Sequence, residues 1–358
     1  MSKTRGQVRV LRSISGVLTP VVIVLLGLLV GSVVVLISGE NPVDAYVQLI
    51  LGAVGDLDNI TSTLLRATPI VVTGIGVSIS TRAGVFNLGG AGQMLMGGIT
   101  AAALGATLSA PRMISLPLLI LASALAGAVA AAVPAYLEAK YRVSIIVVTL
   151  LMNYIIGLLV QYLVNYPLHD STVVGLAAET VPLTAAARLG RLIPGTRLHS
   201  GLLIALALIL LTKLFFERTT LGYELRMTGL NPLFAEYSGL NRMSGVMVSM
   251  ILAGALAGIG GAIEVAGVHN RFVVGVLDEY AWTGLTAALL ANGRPVSVAV
   301  AGLLLAALHT GALGVQRFTN VPVEMADIVQ SSIMLFAASR LGIQLWLKKL
   351  ERRTAHAE

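Results

Sequence analysis

Long apolar stretches separated by short polar ones follow each other along almost the whole chain. A helix needs about 20 apolar residues to cross the hydrocarbon core of a bilayer. The runs are continuous rather than alternating, and open sheet edges cannot be exposed to lipid, so helices are expected. The pattern predicts an all-α fold, a polytopic transmembrane helical bundle with about ten membrane segments. The ten apolar windows fall near residues 17–38, 64–80, 88–108, 116–137, 143–164, 201–216, 243–268, 280–291, 295–314 and 324–347.

The positions of the Lys and Arg residues predict the orientation of these segments. Loops on the side of the two termini carry sixteen of them and the opposite loops carry seven, and cytoplasmic loops are the basic ones. Both termini are therefore expected in the cytoplasm, with the longest outer loop at 165–200. The expected units are a cytoplasmic segment 1–16, a membrane domain 17–347 and a basic cytoplasmic tail 348–358. The eighth window is too short to cross alone, so we expect a broken or re-entrant helix there.

Composition excludes several classes of protein. Hydrophobic residues make up 56% of the 358 residues and charged ones 11%, whereas a soluble domain has about a quarter charged. Without cysteine, disulfides, thiolate metal sites and cysteine nucleophiles are excluded. The net charge of +7 indicates contact with anionic membrane lipid rather than nucleic acid. The five histidines lack metal-ligand spacing and no cluster of His, Asp or Ser is visible, so we expect no metal, no cofactor and no enzyme activity.

A glycine-rich stretch, Gly84 to Gln93, separates the second and third windows. It has four glycines in nine residues, and each lowers helix stability by roughly 1 kcal/mol, which predicts a broken or distorted helix. The freed backbone groups and the amides of Asn87 and Gln93 could line a polar path. Close packing of helices through small residues explains the glycines equally well.

The longest interior loop, 217–242, predicts a short helix. Asn231 is a good N-cap, Pro232 a favoured first residue and Gly239 a fitting left-handed stop. The predicted helix runs from Pro232 to Ser238 on the cytoplasmic face. Because so short a helix is marginal alone, something should pack on it, and docking of a partner is favoured over burial in the lipid interface.

Two polar residues interrupt otherwise apolar windows. Glu264 is either a functional group, since an ionisable side chain in a membrane span is costly, or it lies near the outer end of its helix within reach of water. For Asn153 an interhelical hydrogen bond is the expected role.

Four segments of the chain resemble the permeases of bacterial ABC importers for nucleosides and simple sugars. Gly84 to Gln93 resembles their G-x-x-N-I-G-x-E-G-Q signature, and Ile146 to Tyr154 resembles V-x-T-x-M-x-N-Y of the nucleoside branch. Gly222 to Gly239 is similar to their coupling segment. The stretch from Gly254 to Glu264 resembles their S-G-x-x-A-G-x-x-G-x-x-E motif. Two departures are Ala91, where the family usually has Glu, and Glu236, where a small residue is common.

This resemblance implies a type II-like ABC importer permease in the bacterial plasma membrane. Its expected partners are an ABC ATPase subunit, a second permease subunit as homo- or heterodimer, an extracytoplasmic substrate-binding lipoprotein and a small-molecule substrate. The candidate pathway residues are Asn87, Gly89, Gly92, Gln93, Asn153 and Glu264. The candidate ATPase-coupling residues are Gly229, Asn231, Pro232, Ala235, Glu236, Tyr237 and Gly239.

Three functions remain open from the sequence. Asn153-Tyr154 and Glu264 favour the nucleoside branch, and a ribose- or galactose-type sugar importer is the alternative within the family. An ion-coupled secondary transporter would need buried acidic or basic pairs for coupling, and the sequence offers few buried charges.

Overall fold

The computed structural model describes residues 21–171, 178–337 and 339. The predicted segments 1–16 and 348–358 lie outside the described residues. Within them the chain forms thirteen α-helices and, apart from isolated bridges, no β-structure. The helices are α1 (Val21–Ile37), α2 (Pro42–Val54), α3 (Leu57–Arg82), α4 (Gly90–Thr107), α5 (Arg112–Tyr141), α6 (Ile145–Asn165), α7 (Gly201–Arg218), α8 (Thr220–Leu230), α9 (Pro232–Tyr237), α10 (Arg242–Glu264), α11 (Leu277–Leu290), α12 (Pro295–Phe318) and α13 (Met325–Ala337).

The predicted all-α membrane fold is confirmed, and the described part of each apolar window contains a helix. Five helices of the described residues are long and apolar enough to cross a membrane: α3, α5, α6, α10 with its continuation, and α12. A sixth span results if α1 and α2, which meet at a bend of 116°, count as one. The expected number of about ten membrane segments stays a prediction.

Helix α2 lies between the first two apolar windows, where the sequence predicted no helix. Asn41 caps it, because its side chain accepts a hydrogen bond from the Val43 backbone N–H at 3.0 Å, and Pro42 is its first residue. Its exposed face is apolar, and Val43 and Ile50 are among the residues on it.

Helix α10 lies at the centre of the bundle and packs on α3, α4 and α5. Glycines on its surface bring the backbones together. A methyl group added at Gly254 would lie 2.5 Å from the Ala131 Cβ on α5, and one added at Gly261 would lie 2.8 Å from the Gly98 backbone N on α4. Small residues therefore set the helix spacing, as is common between membrane helices.

Residues 178–200 of the predicted outer loop pack over the end of α10. The helix continues from Glu264 as a π-helical turn, Val265–His269. Backbone hydrogen bonds join the two segments, from Leu183 N to Asn270 O at 2.8 Å and from Leu189 N to Ala266 O at 2.8 Å. The loop thereby covers this end of the central helix.

His199 of the outer loop is buried against the π-helical turn. Its Nδ1 accepts a hydrogen bond from the Gly201 N–H at 3.1 Å, and its ring lies directly against Gly267. Burial lowers the pKa of His199 to about 4, so the ring is neutral at physiological pH.

Candidate functional site

The predicted helix break between α3 and α4 is present at residues 83–89, which we call the α3–α4 break. It begins at Gly84, whose φ of +78° lies in the left-handed region that glycine adopts without strain. It ends at Gly89, which is followed by the first residue of α4. The break is enclosed by protein on most sides, as non-helical backbone at membrane depth must be.

The side-chain amides of Asn87 and Gln93 are paired inside this break. Asn87 Nδ2 donates to Gln93 Oε1 at 3.0 Å, and Gln93 Nε2 donates to Asn87 Oδ1 at 3.2 Å. The same Asn87 oxygen accepts from the Gly89 N–H at 2.8 Å. Both side chains are 2% exposed or less, so within one chain they hold the break in shape. Their role in lining a pathway stays a prediction.

Asn153 makes the interhelical hydrogen bonds expected of it and joins α6 to the break. Its Oδ1 accepts from the Gly92 N–H at 2.9 Å, and its Nδ2 donates to the Leu88 carbonyl at 2.8 Å. Both backbone groups lack a hydrogen-bond partner within a helix, because the helix is interrupted here. One side chain of α6 therefore satisfies a donor and an acceptor of the break.

Glu264 is buried at the end of α10, so the water-exposed alternative does not hold in this chain. Its side chain is 1% exposed, and neither carboxylate oxygen accepts a hydrogen bond of standard geometry from the described residues. The nearest basic group is His269 Nε2, 3.5 Å from Glu264 Oε1 across the π-helical turn. A carboxylate buried in this way is a functional candidate, and its place in a pathway stays a prediction.

The short helix predicted in the loop 217–242 is present as α9 and ends one residue earlier than expected. Asn231 caps it by accepting from the Phe234 N–H at 3.1 Å, and Pro232 is its first residue. At its other end Gly239 has a φ of +80°. The Leu240 N–H donates to the Ala235 carbonyl at 3.0 Å, which completes a Schellman motif.

The orientation of α9 differs from the expectation for Ala235. That residue was expected at the docking contact, but its side chain is 2% exposed and packs inward against its own chain. The outward face instead carries Leu233, Phe234 and Tyr237, which are 68%, 53% and 91% exposed. An arginine at 235 would therefore disturb the permease itself rather than a partner contact.

Gly229, near the end of α8, touches the start of the α3–α4 break. A methyl group at Gly229 would meet the Arg82 carbonyl oxygen and would lie 2.8 Å from the Gly84 backbone N. The loop 217–242 and the break are therefore in direct backbone contact. The sequence did not reveal this pairing, because about 145 residues separate its two sides.

Together these features define a multi-pass helical membrane protein with a buried helix break joined to a short surface helix. Residues 59–338 match the profile of a family described as "Branched-chain amino acid transport system / permease component". The chain belongs to this family of permease components, so it is a membrane transport subunit.

Three curated relatives match over most of their length. The chain is 32% identical to the guanosine ABC transporter permease protein NupP of Bacillus subtilis, over 96% of this chain and 99% of the relative. It is 33% identical to the glucose ABC transporter permease protein TsgB13 of Haloferax volcanii, over 89% and 86%. It is 29% identical to the nucleoside ABC transporter permease protein NupB of Lactococcus lactis, over 93% of each. No solved structure matches the chain.

Proposed function

We propose that this chain is the permease subunit of an ATP-binding-cassette importer for nucleosides. The main support for nucleosides as the substrate class is the near full-length similarity to the guanosine and nucleoside permeases. The nucleoside-type segment around Asn153 supports it. The permease itself makes no chemical bond, and a separate ATPase subunit hydrolyses ATP.

The proposed assembly has two permease subunits, identical or different, two ATPases on the cytoplasmic side and an extracytoplasmic binding lipoprotein that delivers the substrate. ATP closes the ATPase pair, and this closure moves α9. The movement reaches the α3–α4 break through the contact between Gly229 and Gly84. Alternating access to a central site follows from the rocking of the helix bundles. The weak polar contacts with substrate are assigned to Asn87, Gln93 and Glu264.

A simple-sugar importer is the second candidate, and the similarity to the glucose permease favours it. Proteoliposomes with the permease, its ATPase and its binding protein separate the two. We expect ATP-dependent uptake of labelled guanosine, without competition by excess glucose. Glucose uptake that guanosine does not inhibit would replace the nucleoside proposal.

Both termini are proposed to lie in the cytoplasm of a bacterial cell, with the loop 165–200 outside. Because the chain has no cysteine, single cysteines can be placed at Ser171 and at Thr354 and probed with a membrane-impermeant thiol reagent in intact cells. We expect labelling at position 171 only. Labelling at 354 without labelling at 171 would reverse the topology.

The outward face of α9 is proposed as the site where the ATPase docks. Replacing Tyr237 by alanine should weaken that contact by about 2 kcal/mol, the size of an aromatic hot spot, which is roughly thirtyfold in affinity. The measurement is co-purification of the ATPase, with substrate-stimulated ATP hydrolysis as a second readout.

Tyr166→Ala is the matched control, because Tyr166 is also exposed, at 71%, but lies on the predicted outer side. We expect this variant to retain the ATPase. Equal retention by both variants would place the docking site elsewhere in the cytoplasmic loops.

A further inference from the structure

Four charged or titratable side chains from four helices meet at one place far from the α3–α4 break. They are Arg66 on α3, Glu279 on α11, His309 on α12 and Asp327 on α13. This group could not be predicted from the sequence, because only the packing of the helices brings the residues together. With neutral histidine the group carries one net negative charge.

Three atoms that can each bind a metal converge in this group. His309 Nε2 lies 2.8 Å from Glu279 Oε1 and 3.0 Å from Asp327 Oδ1, and all three atoms lie within 4.8 Å of one another. The His309 side chain is 9% exposed, whereas those of Glu279 and Asp327 are 43% and 57% exposed. The nearly buried imidazole of His309 thus faces two carboxylates, each of which is partly exposed at the surface.

From this geometry we infer that Glu279, His309 and Asp327 form a binding site for a divalent transition-metal ion such as Zn²⁺. Imidazole nitrogen with carboxylate oxygens is a donor set that suits zinc. A tetrahedral zinc ion with bonds of about 2.0–2.2 Å holds its ligand atoms about 3.4 Å apart. The two spacings from His309 Nε2 to the carboxylate oxygens therefore have to open by only about half an ångström around an ion. The two carboxylate oxygens already lie within 4.8 Å of each other, and a fourth position stays free on the exposed side.

The surroundings of the three ligands hold them in place. One helical turn further along, Gln330 Nε2 donates to Thr283 Oγ1 at 3.0 Å and ties α13 to α11. Arg66 donates to Oε1 of Glu279, the same oxygen that faces His309, and a carboxylate oxygen has two lone pairs, one for Arg66 and one for a metal. Ligating carboxylates commonly have such a hydrogen-bonding partner, which orients them. The site would therefore bind its ion with little rearrangement and join α11, α12 and α13.

The test is direct zinc binding to the full chain in lipid nanodiscs, purified with an affinity tag that contains no histidine. After removal of metal with a chelator, zinc is added and the bound metal is counted by elemental analysis over a titration. We expect one high-affinity zinc ion per chain. His309→Gln and Asp327→Asn should each weaken this binding at least about tenfold.

His169→Gln is the matched control, because His169 is an exposed histidine of the outer loop and the variant should bind zinc like the wild type. Asp327→Asn guards against misfolding, since that side chain is more than half exposed. Absence of tight zinc binding by the wild type, or equal binding by the wild type and both site variants, would overturn the inference. The group would then be an ion-pair network.

Discussion

Replacement of Gly229 by alanine is expected to abolish most ATP-driven uptake while the ATPase remains bound. The added methyl group would overlap the Arg82 carbonyl oxygen and lie 2.8 Å from the Gly84 backbone N, so α8 must move away from the α3–α4 break. Overpacking of this kind costs about 1–3 kcal/mol, and a barrier raised by 1.4 kcal/mol slows transport about tenfold. Uptake into proteoliposomes and co-purification of the ATPase are measured side by side.

Gly157→Ala is the control for this change. Gly157 also lies within a helix, but nothing is found within 4 Å of the position that its added methyl group would take. We expect its uptake to equal that of the wild type. Normal uptake by the Gly229 variant would show that movement does not pass from α8 to the break.

Replacement of Asn153 by leucine is expected to be the most destabilising change in α6. It leaves the Leu88 carbonyl and the Gly92 N–H without their side-chain partners, and an unsatisfied buried polar group costs about 1–3 kcal/mol. Only four of the 21 residues of α6 are buried, so packing offers little compensation. The variant should unfold several degrees lower than the wild type in thermal scans of the purified protein.

Asn165→Leu makes the same substitution in the same helix at an exposed position, where the side chain bonds only to the carbonyl of Gln161. The expected change in the free energy of unfolding is within about 0.5 kcal/mol of zero, so the unfolding temperature should stay close to that of the wild type. Equal shifts for the two variants would mean that Asn153 contributes only its intrinsic helix propensity.

The sequence predicted the structure best where the backbone conformation depends on side chains within one helical turn of it. Helix α9 could be placed almost to the residue because Asn231, Pro232 and Gly239 act on backbone groups beside them. Its orientation could not be predicted, because packing against the rest of the chain decides which side of so short a helix is buried. Ala235 turned inward for that reason.

The α3–α4 break was likewise predictable in its local backbone structure but not in its side-chain contacts. Glycine density predicted that the helix would be interrupted, but not whether Asn87 and Gln93 would face a path or each other. Their mutual pairing depends on how α4 resumes after Gly89. Helix α2 was missed because its 13 residues are too few to cross a membrane and include Asp44 and Gln48. The group around His309 was missed because it exists only after four helices have packed.

The glycine contacts of α10 have a consequence for movement. Interlocking side-chain ridges normally fix the register of one helix against another. Near Gly254 and Gly261, α10 presents backbone to its neighbours instead, so no bulky side chain must change rotamer when α10 shifts along its axis. Small shear displacements between packed helices are a common element of conformational change. Side-chain packing therefore offers little resistance to such a displacement of α10 against α4 and α5. A side chain larger than glycine at position 254 or 261 would hold α10 in a single axial position relative to its neighbours.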